Sequence, residues 1–322
     1  MKFSKDVALV VSATAGLSLK GIWARLAYAE GLDVSGVLFY RSALATPLFL
    51  LVGILLWKRG RFAQANPRSS HRVWGIAALL GAIFSVGMYS DFQAIAFLGA
   101  GVSRVILFGF PLVVMGVEGI VQRSPPPRSR VLGYAVAWVG LLCVAGGAPD
   151  LATHDWQSGL LWALASLVLY GLYVASSAPL SRRIGSVPLT IVSSTSTGVV
   201  VVSTLLLQNS GLPPSISGAA FGWVSVMVIV STVVPYFLLT EGIRRLGGSR
   251  AGLISMLGPP LTVSVGWLLL DETLSGIQIL GTMAVLLGVL LSQRARPAAE
   301  ATGTAETSPT EEKQATTQNT QS

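Results

Sequence analysis

The sequence predicts an all-α integral membrane protein of ten transmembrane helices, folded as two five-helix repeats of opposite orientation. Three observations predict it. The chain of 322 residues is 52% hydrophobic and only 11% charged, whereas soluble domains carry about 25% charged residues. Its apolar residues gather into stretches near the roughly 20 needed to cross a hydrocarbon core of about 30 Å. Its cations fall on alternate connections between those stretches, as the positive-inside rule requires.

The predicted spans follow in order. The first runs from Val7 to Ala29 and carries Lys20 and Arg25. It is too long for a cleaved signal peptide and is expected to be retained. The second, Val34 to Trp57, opens on an aromatic-Arg pair at Tyr40-Arg41; the third is Val73 to Phe97 and the fourth Val102 to Val121. The fifth is Val131 to Ala148, the sixth Gly159 to Leu180 and the seventh Val187 to Leu207. The eighth, Ala219 to Thr240, is expected to end where Glu241 and the Arg244-Arg245 pair begin; Ala251 to Leu270 and Leu274 to Leu291 complete the set. Transmembrane β-strands are shorter and alternate in polarity, a period this sequence lacks.

Charge sets the orientation. With both termini cytoplasmic, every Lys and Arg except Lys20, Arg25, Arg41 and Arg104 falls in a cytoplasmic segment. The opposite loops hold Glu30, Asp33, Asp150, Asp155 and the Asp271-Glu272 pair. This predicts a multi-pass protein of the plasma (inner) membrane. The net charge of +8 is thereby explained by topology and calls for no nucleic acid.

Other chemistries find little support. Cys143 is the one cysteine, so no internal disulfide or cysteine metal set can form. His71 and His154 are expected in loops without a second ligand, which argues against a metal. No GxxxxGK[ST] sequence is present to drive pumping by ATP, and no nucleophile-base arrangement suggests an enzyme. No cofactor is expected. From Pro297 to Ser322 the composition turns to Ala, Thr, Glu, Gln and Ser, which predicts a disordered cytoplasmic tail.

The halves resemble one another at an offset of 148: Leu98-Gly99 matches Leu246-Gly247, Leu132-Gly133 matches Leu280-Gly281, and Gly140 and Leu142 match Gly288 and Leu290. Phe110-Pro111-Leu112 faces Gly258-Pro259-Pro260-Leu261. Five spans per half place the second copy upside down, the inverted repeat of secondary transporters. The expected organisation is residues 1–150 and 151–296 for the repeats and 297–322 for the tail. Pro111 and the Pro259-Pro260 pair break corresponding helices, and a broken helix releases carbonyls that lipid cannot satisfy. Either a transport site or a packing kink would use such breaks.

At these residues the chain resembles the EamA-type, ten-helix members of the drug/metabolite transporter superfamily, over about residues 5 to 295. The resemblance rests on "FYRSALA" at Phe39–Ala45, on "YGLYVASSAPLSRR" at Tyr170–Arg183, and on the run from Arg244 to Leu291 with its Gly258-Pro259-Pro260 and Glu272. Gln122-Arg123 stands where the first half would carry the equivalent acid, a departure from full symmetry. The resemblance implies a carrier of small metabolites without naming which.

Buried polar groups are the candidate machinery, because a charge at depth costs about 3 kcal/mol and usually faces a cavity. Lys20 lies near or beyond mid-depth, and two roles are open to it: contact with substrate, or a structural pair with Asp91. Arg25 and Arg104 are placed to snorkel outward. Arg41 is either a helper at the site or a strut between helices. Asp91 and Glu118 are the candidate proton couplers, while Glu241 reads as a solvated partner of Arg244 and Arg245. Trp23, Tyr89, Tyr170, Tyr173 and Tyr236 are the candidate walls of a mostly apolar pocket.

The expected function is secondary active transport, outward or inward, of a small carboxylate-bearing metabolite such as an amino acid, by alternating access. Protons are the candidate coupling ion, and oligomeric state is left open. The competing reading is a membrane sensor or scaffold that moves nothing; it would need no polar groups at mid-depth in both halves.

Overall fold

The computed structural model describes residues 5–58, 71–144, 156–208, 216–261, 264 and 275–293. Among the described residues the regular structure is entirely helical, as lipid demands of a chain that must satisfy its own backbone. Among the described residues seven helices are long and apolar enough to cross a membrane: Lys5–Ala29, Val34–Leu55, His71–Asp91, Val105–Gln122, Trp156–Ile184, Ser186–Gln208 and Gly218–Leu246. A shorter apolar helix covers Gly276–Ser292. Their outward faces are apolar, with Leu79, Leu161, Leu280 and Met283 more than half exposed. Such a surface is stable only against acyl chains.

The elements are α1 (Lys5–Ser18), α2 (Lys20–Ala29), α3 (Val34–Lys58), α4 (His71–Leu107), α5 (Phe110–Gln122) and α6 (Arg128–Val144). The second half supplies α7 (Trp156–Ile184), α8 (Ser186–Gln208), α9 (Gly218–Val228), α10 (Val234–Leu246), α11 (Gly248–Ser255) and α12 (Gly276–Gln293).

Three of these depart from the expected spans. The first span is interrupted at Leu19, which separates α1 from α2. The eighth continues past Thr240 to Leu246, stopped by Gly247 at φ 84°. It also contains a π-helical turn, Ile229–Val233, between α9 and α10. Pro235 follows within two residues; it lacks an N–H, and the ladder upstream adjusts its register around the lost bond.

The third departure is α4. The sequence places a boundary near Leu98–Gly101, yet helical hydrogen bonding continues to Leu107, over 37 residues. A straight helix of that length would measure about 55 Å, too long for one crossing. Packing resolves the conflict. Gly87 lies against Leu169 and Leu98 against Gly159, but Gly109 lies against Leu167 and Val113 against Gly171. The partners on α7 run backwards and then forwards, so the chain turns back within residues 98–109. His71, expected in a loop, is the first residue of α4. His154, Asp150, Asp155, Asp271, Glu272 and the tail from Pro297 lie outside the described residues.

The principal packings join one helix of the first half to one of the second: α6 with α12, α4 with α7, α3 with α8, α1 with α10 and α2 with α9. The largest core accordingly mixes Val10, Phe110, Val114 and Leu141 with Val174, Leu239, Ile254 and Val285. Along α6 and α12, a Cβ on Gly133 would meet the carbonyl oxygen of Gly288 at 2.6 Å, and one on Gly140 that of Gly281 at 2.6 Å. The two backbones touch directly at both places, as only glycine permits.

Candidate functional site

The helix interruptions converge. Ser18, the last residue of α1, has its Oγ within 2.7 Å of the Thr14 carbonyl and 3.0 Å of the Gly258 carbonyl, so its hydroxyl bridges to the other half. Gly258 follows the turn at Met256-Leu257 that ends α11, and Phe108, from the turn before α5, packs against it. Pro111 is the second residue of α5, and Pro259 and Pro260 lie in the short helical segment 258–261. All three prolines therefore sit at the first turns of helices restarted after a break, where a missing N–H is harmless. Lys20 begins α2 immediately beyond the interruption at Leu19 and is half-buried.

Beside these breaks lies a polar crevice lined by Arg41, Ser42, Thr46 and Phe49 of α3, by Ser194, Thr197 and Gly198 of α8, and by Thr232 and Tyr236 around the π-turn. Its volume is about 20 Å³, room for a single water. A Cβ on Gly198 would collide with Thr46 Oγ1, so the helices close tightly beneath it. Several of its hydroxyls are committed to backbone: Thr46 Oγ1 donates to the Ser42 carbonyl at 2.7 Å, and Thr197 Oγ1 lies 2.8 Å from the Gly81 and 2.9 Å from the Ser193 carbonyl. Within the π-turn, Thr232 Oγ1 reaches back five residues to the Met227 carbonyl at 3.3 Å.

Arg41 is the group that physical chemistry finds hardest to explain as structure. It is 6% exposed, and its Nη2 donates to the thioether of Met88 at 2.9 Å. Among the described residues it forms no ion pair. A guanidinium carries five donors and a charge; a thioether is a weak acceptor and supplies no counter-charge. Buried cations normally keep a carboxylate.

Aromatic rings extend the crevice into an apolar lane. Tyr236 stacks near Phe49 at 6.2 Å and meets Phe84 edge-on at 6.3 Å. Phe84 lies 4.5 Å from Tyr173 and 5.8 Å from Tyr170, and Tyr170 meets Phe110 at 4.7 Å. Of the sequence candidates, Arg41, Tyr170, Tyr173 and Tyr236 are thus brought together. Phe49, Phe84 and Thr232 were not singled out; the one signal that could have found any of them is Pro235, which marks the π-turn.

The other candidates lie elsewhere. Tyr89 is 38% exposed, meets Trp162 edge-on at 6.1 Å, and accepts from Gln93 Nε2 at 2.7 Å; it points outward, because α4 turns that face to the bilayer. Trp23 stacks on Trp223 at 6.2 Å within the core shared by α2, α3 and α9, and its Nε1 has no hydrogen-bond partner among the described residues. Asp91 is buried at 7% exposure on α4. The side chains of Arg25 and Arg104 fall outside the description.

Glu118 meets the start of α11: its carboxylate accepts from the Ser249 backbone N–H at 3.1 Å and from the Ser249 hydroxyl. That is the geometry of a helix cap supplied by another helix. Glu241 is also held, and by more than its neighbours. It accepts from Arg244 at 2.6 and 2.7 Å, from Arg245 at 2.5 Å and from Ser186 of α8 at 2.5 Å. Arg245 in turn reaches Asp6 of α1 at 3.0 Å, so one acid ties together three helix ends.

Comparison with known proteins agrees with this architecture. The sequence model of the EamA-like transporter family matches residues 157–293. The chain is 29% identical to the uncharacterized transporter YcbK of Bacillus subtilis over 81% of its own length and 84% of that protein's. It is 22% identical to the uncharacterized inner membrane transporter YicL of Salmonella typhimurium, over 60% and 63% of the respective chains. A solved structure described only as "Crystal structure of protein" superposes with a TM-score of 0.73 at 14% identity, covering 90% of this chain and 97% of that one; at that identity the likeness concerns fold. Lipid-facing helices, central helix breaks and these matches lead to one conclusion: this multi-pass membrane protein belongs to the EamA-like transporter family of the drug/metabolite transporter superfamily.

Proposed function

We propose that the protein is a secondary active transporter of the inner membrane that carries a small carboxylate-bearing metabolite by alternating access, with both termini cytoplasmic. The observation that carries this reading is Arg41: a buried guanidinium without a carboxylate among the described residues, on the wall of a crevice between the two halves of the chain. A solute carboxylate is the planar, bidentate partner that such a group lacks. Lys20, beside the helix break, is a second candidate contact. Tyr170, Tyr173 and Tyr236 are the walls, and Asp91 is the candidate proton coupler. Glu118 is read instead as a cap that fixes the start of α11.

The contacts of α6 with α12 support two halves related by an inverting two-fold. Gly133 and Gly281 correspond in the sequence repeat, as do Gly140 and Gly288. In space Gly133 meets Gly288 and Gly140 meets Gly281. Each residue therefore touches the counterpart of the other, the reciprocal pattern of an isologous interface. Because the crevice is nearly closed, transport requires α3, α8 and α10 to separate.

Counterflow in proteoliposomes tests the proposal. The purified protein should exchange labelled carboxylates saturably across the bilayer, and Arg41→Gln should abolish exchange while melting at an unchanged temperature. Folded protein that exchanges nothing from a broad set of carboxylates would favour the sensor or scaffold reading.

A further inference from the structure

The chemistry of the crevice narrows the solute further, in an inference that rests on the transport reading: the geometry points to an aryl or arylalkyl monocarboxylate that lacks an ammonium group. Charge comes first. Among the described residues Arg41 is the only charged one in the lining, which holds no acid. The described lining therefore offers one positive charge and no negative one before any solute arrives. A monoanion neutralises it. A zwitterionic amino acid leaves the charge unchanged and adds an ammonium that must also shed its water. In a medium of low polarity an uncompensated charge is costly, so net neutrality separates the two ligands.

Shape and surface come second. Beside Arg41, Ala45, Gly198 and hydroxyls, of which those of Thr46, Thr197 and Thr232 turn to backbone carbonyls, the lining presents the rings of Phe49 and Tyr236. Phe49 and Tyr236 flank the crevice, and Phe84, Tyr173 and Tyr170 continue from it without interruption. Ring walls favour a ring in edge or offset contact. A carboxylate held at Arg41 would direct its substituent along this lane, and an aryl group would replace ring-ring contacts as the helices part. A sugar or polyol would find too few unused hydrogen bonds.

Three probes on one skeleton separate the possibilities: 3-phenylpropionate, L-phenylalanine and 2-phenylethylamine, an anion, a zwitterion and a cation. Binding is read as a ligand-induced rise in melting temperature of the purified protein, and movement by counterflow of each labelled probe. The expected result is stabilisation by 3-phenylpropionate on the order of tenfold tighter than by phenylalanine, with none by the amine. Arg41→Gln should erase that preference and Arg41→Lys retain it at lower affinity, both melting like the parent protein without ligand. Equal or tighter binding of phenylalanine, or binding of none of the three, overturns the inference. So does 3-phenylpropionate binding that survives Arg41→Gln. Phenylalanine moved without 3-phenylpropionate would leave transport standing and this inference fallen. 3-Phenylpropionate bound tightly but never moved would do the reverse.

Discussion

The α6–α12 pair and the α3–α8 pair are built alike and end differently. Each joins one helix of the first half to one of the second, and in each a glycine lets the helices approach closely. Between α6 and α12 the glycines face backbone: Gly133 meets Gly288 and Gly140 meets Gly281, with main-chain atoms in direct contact. Between α3 and α8, Gly198 faces a side chain, Thr46, and one turn away along α3 lies Arg41 above a small void. In lipid, where helix association depends on packing, small residues and interhelical hydrogen bonds, the first contact is a dry seam. The second is a seam with a charge in it. In the proposed transport cycle the first would hold the halves together and the second would open.

The largest expected break in that comparison is at the seam itself. Gly288→Leu would press a side chain into a backbone whose nearest atom is 2.4 Å from the Cβ position. Overpacking of this kind costs about 1–3 kcal/mol even where neighbours can shift, and here the neighbour is main chain. Loss of monodisperse protein in size-exclusion chromatography is expected. Gly198→Ala is the matching test at the other pair: Thr46 can change rotamer, so folded protein should survive with altered exchange kinetics.

Arg41→Gln comes next, and it reads function rather than folding. Exchange of a carboxylate in proteoliposomes should be abolished, a fall of at least about a hundredfold, with no loss of melting temperature, because removing a buried charge that has no carboxylate partner among the described residues relieves desolvation. A variant that melted much lower yet exchanged normally would make Arg41 a strut.

Smaller effects test the supports. Glu118→Ala should destabilise by about 1–2 kcal/mol through loss of the cap on α11, read as a fall in melting temperature between pH 6 and 8. A variant stable as the parent but uncoupled from a proton gradient would return Glu118 to the coupling machinery. Ser18→Ala removes the bridge to Gly258 and should cost about 1 kcal/mol. Tyr89→Phe should change neither stability nor exchange beyond about 0.5 kcal/mol, since that ring faces outward beside Trp162; a clear transport defect would bring it back to the site.

Much of the architecture was legible because lipid imposes it residue by residue. Apolar runs of membrane length, and cations on alternate loops, are local patterns, and helical structure follows from them directly. The breaks at Pro111 and Pro259-Pro260 were legible for the same reason: a proline acts on its own turn. The end of the tenth element and the grip of Glu241 on Arg244 and Arg245 were partly visible, as near neighbours along one helix. The ties from Glu241 to Ser186, and from Arg245 to Asp6, were not.

The site was read less well. Lys20 drew attention because an ammonium among apolar residues stands out in a linear scan, while Arg41 reads equally as a helper at the site or a strut between helices. Burial brings Arg41 forward, at 6% exposure, beside a half-buried Lys20. No sequence period distinguishes Tyr236, which faces the crevice, from Tyr89, which faces outward, because both are aromatic residues on apolar helices. Phe84 carries no signal at all.

The sequence by itself determined the solvent of this protein, the helical state of its spans and the residues at which helices break. These follow from free energies of single residues and single turns in lipid. Tertiary structure alone decided that helices of opposite halves share one core and that the chain doubles back within residues 98–109. It alone decided that Glu118 serves another helix and that Arg41 stands buried without a carboxylate among the described residues. Those outcomes depend on which faces meet across more than a hundred residues of chain, a property of packing and not of any local pattern.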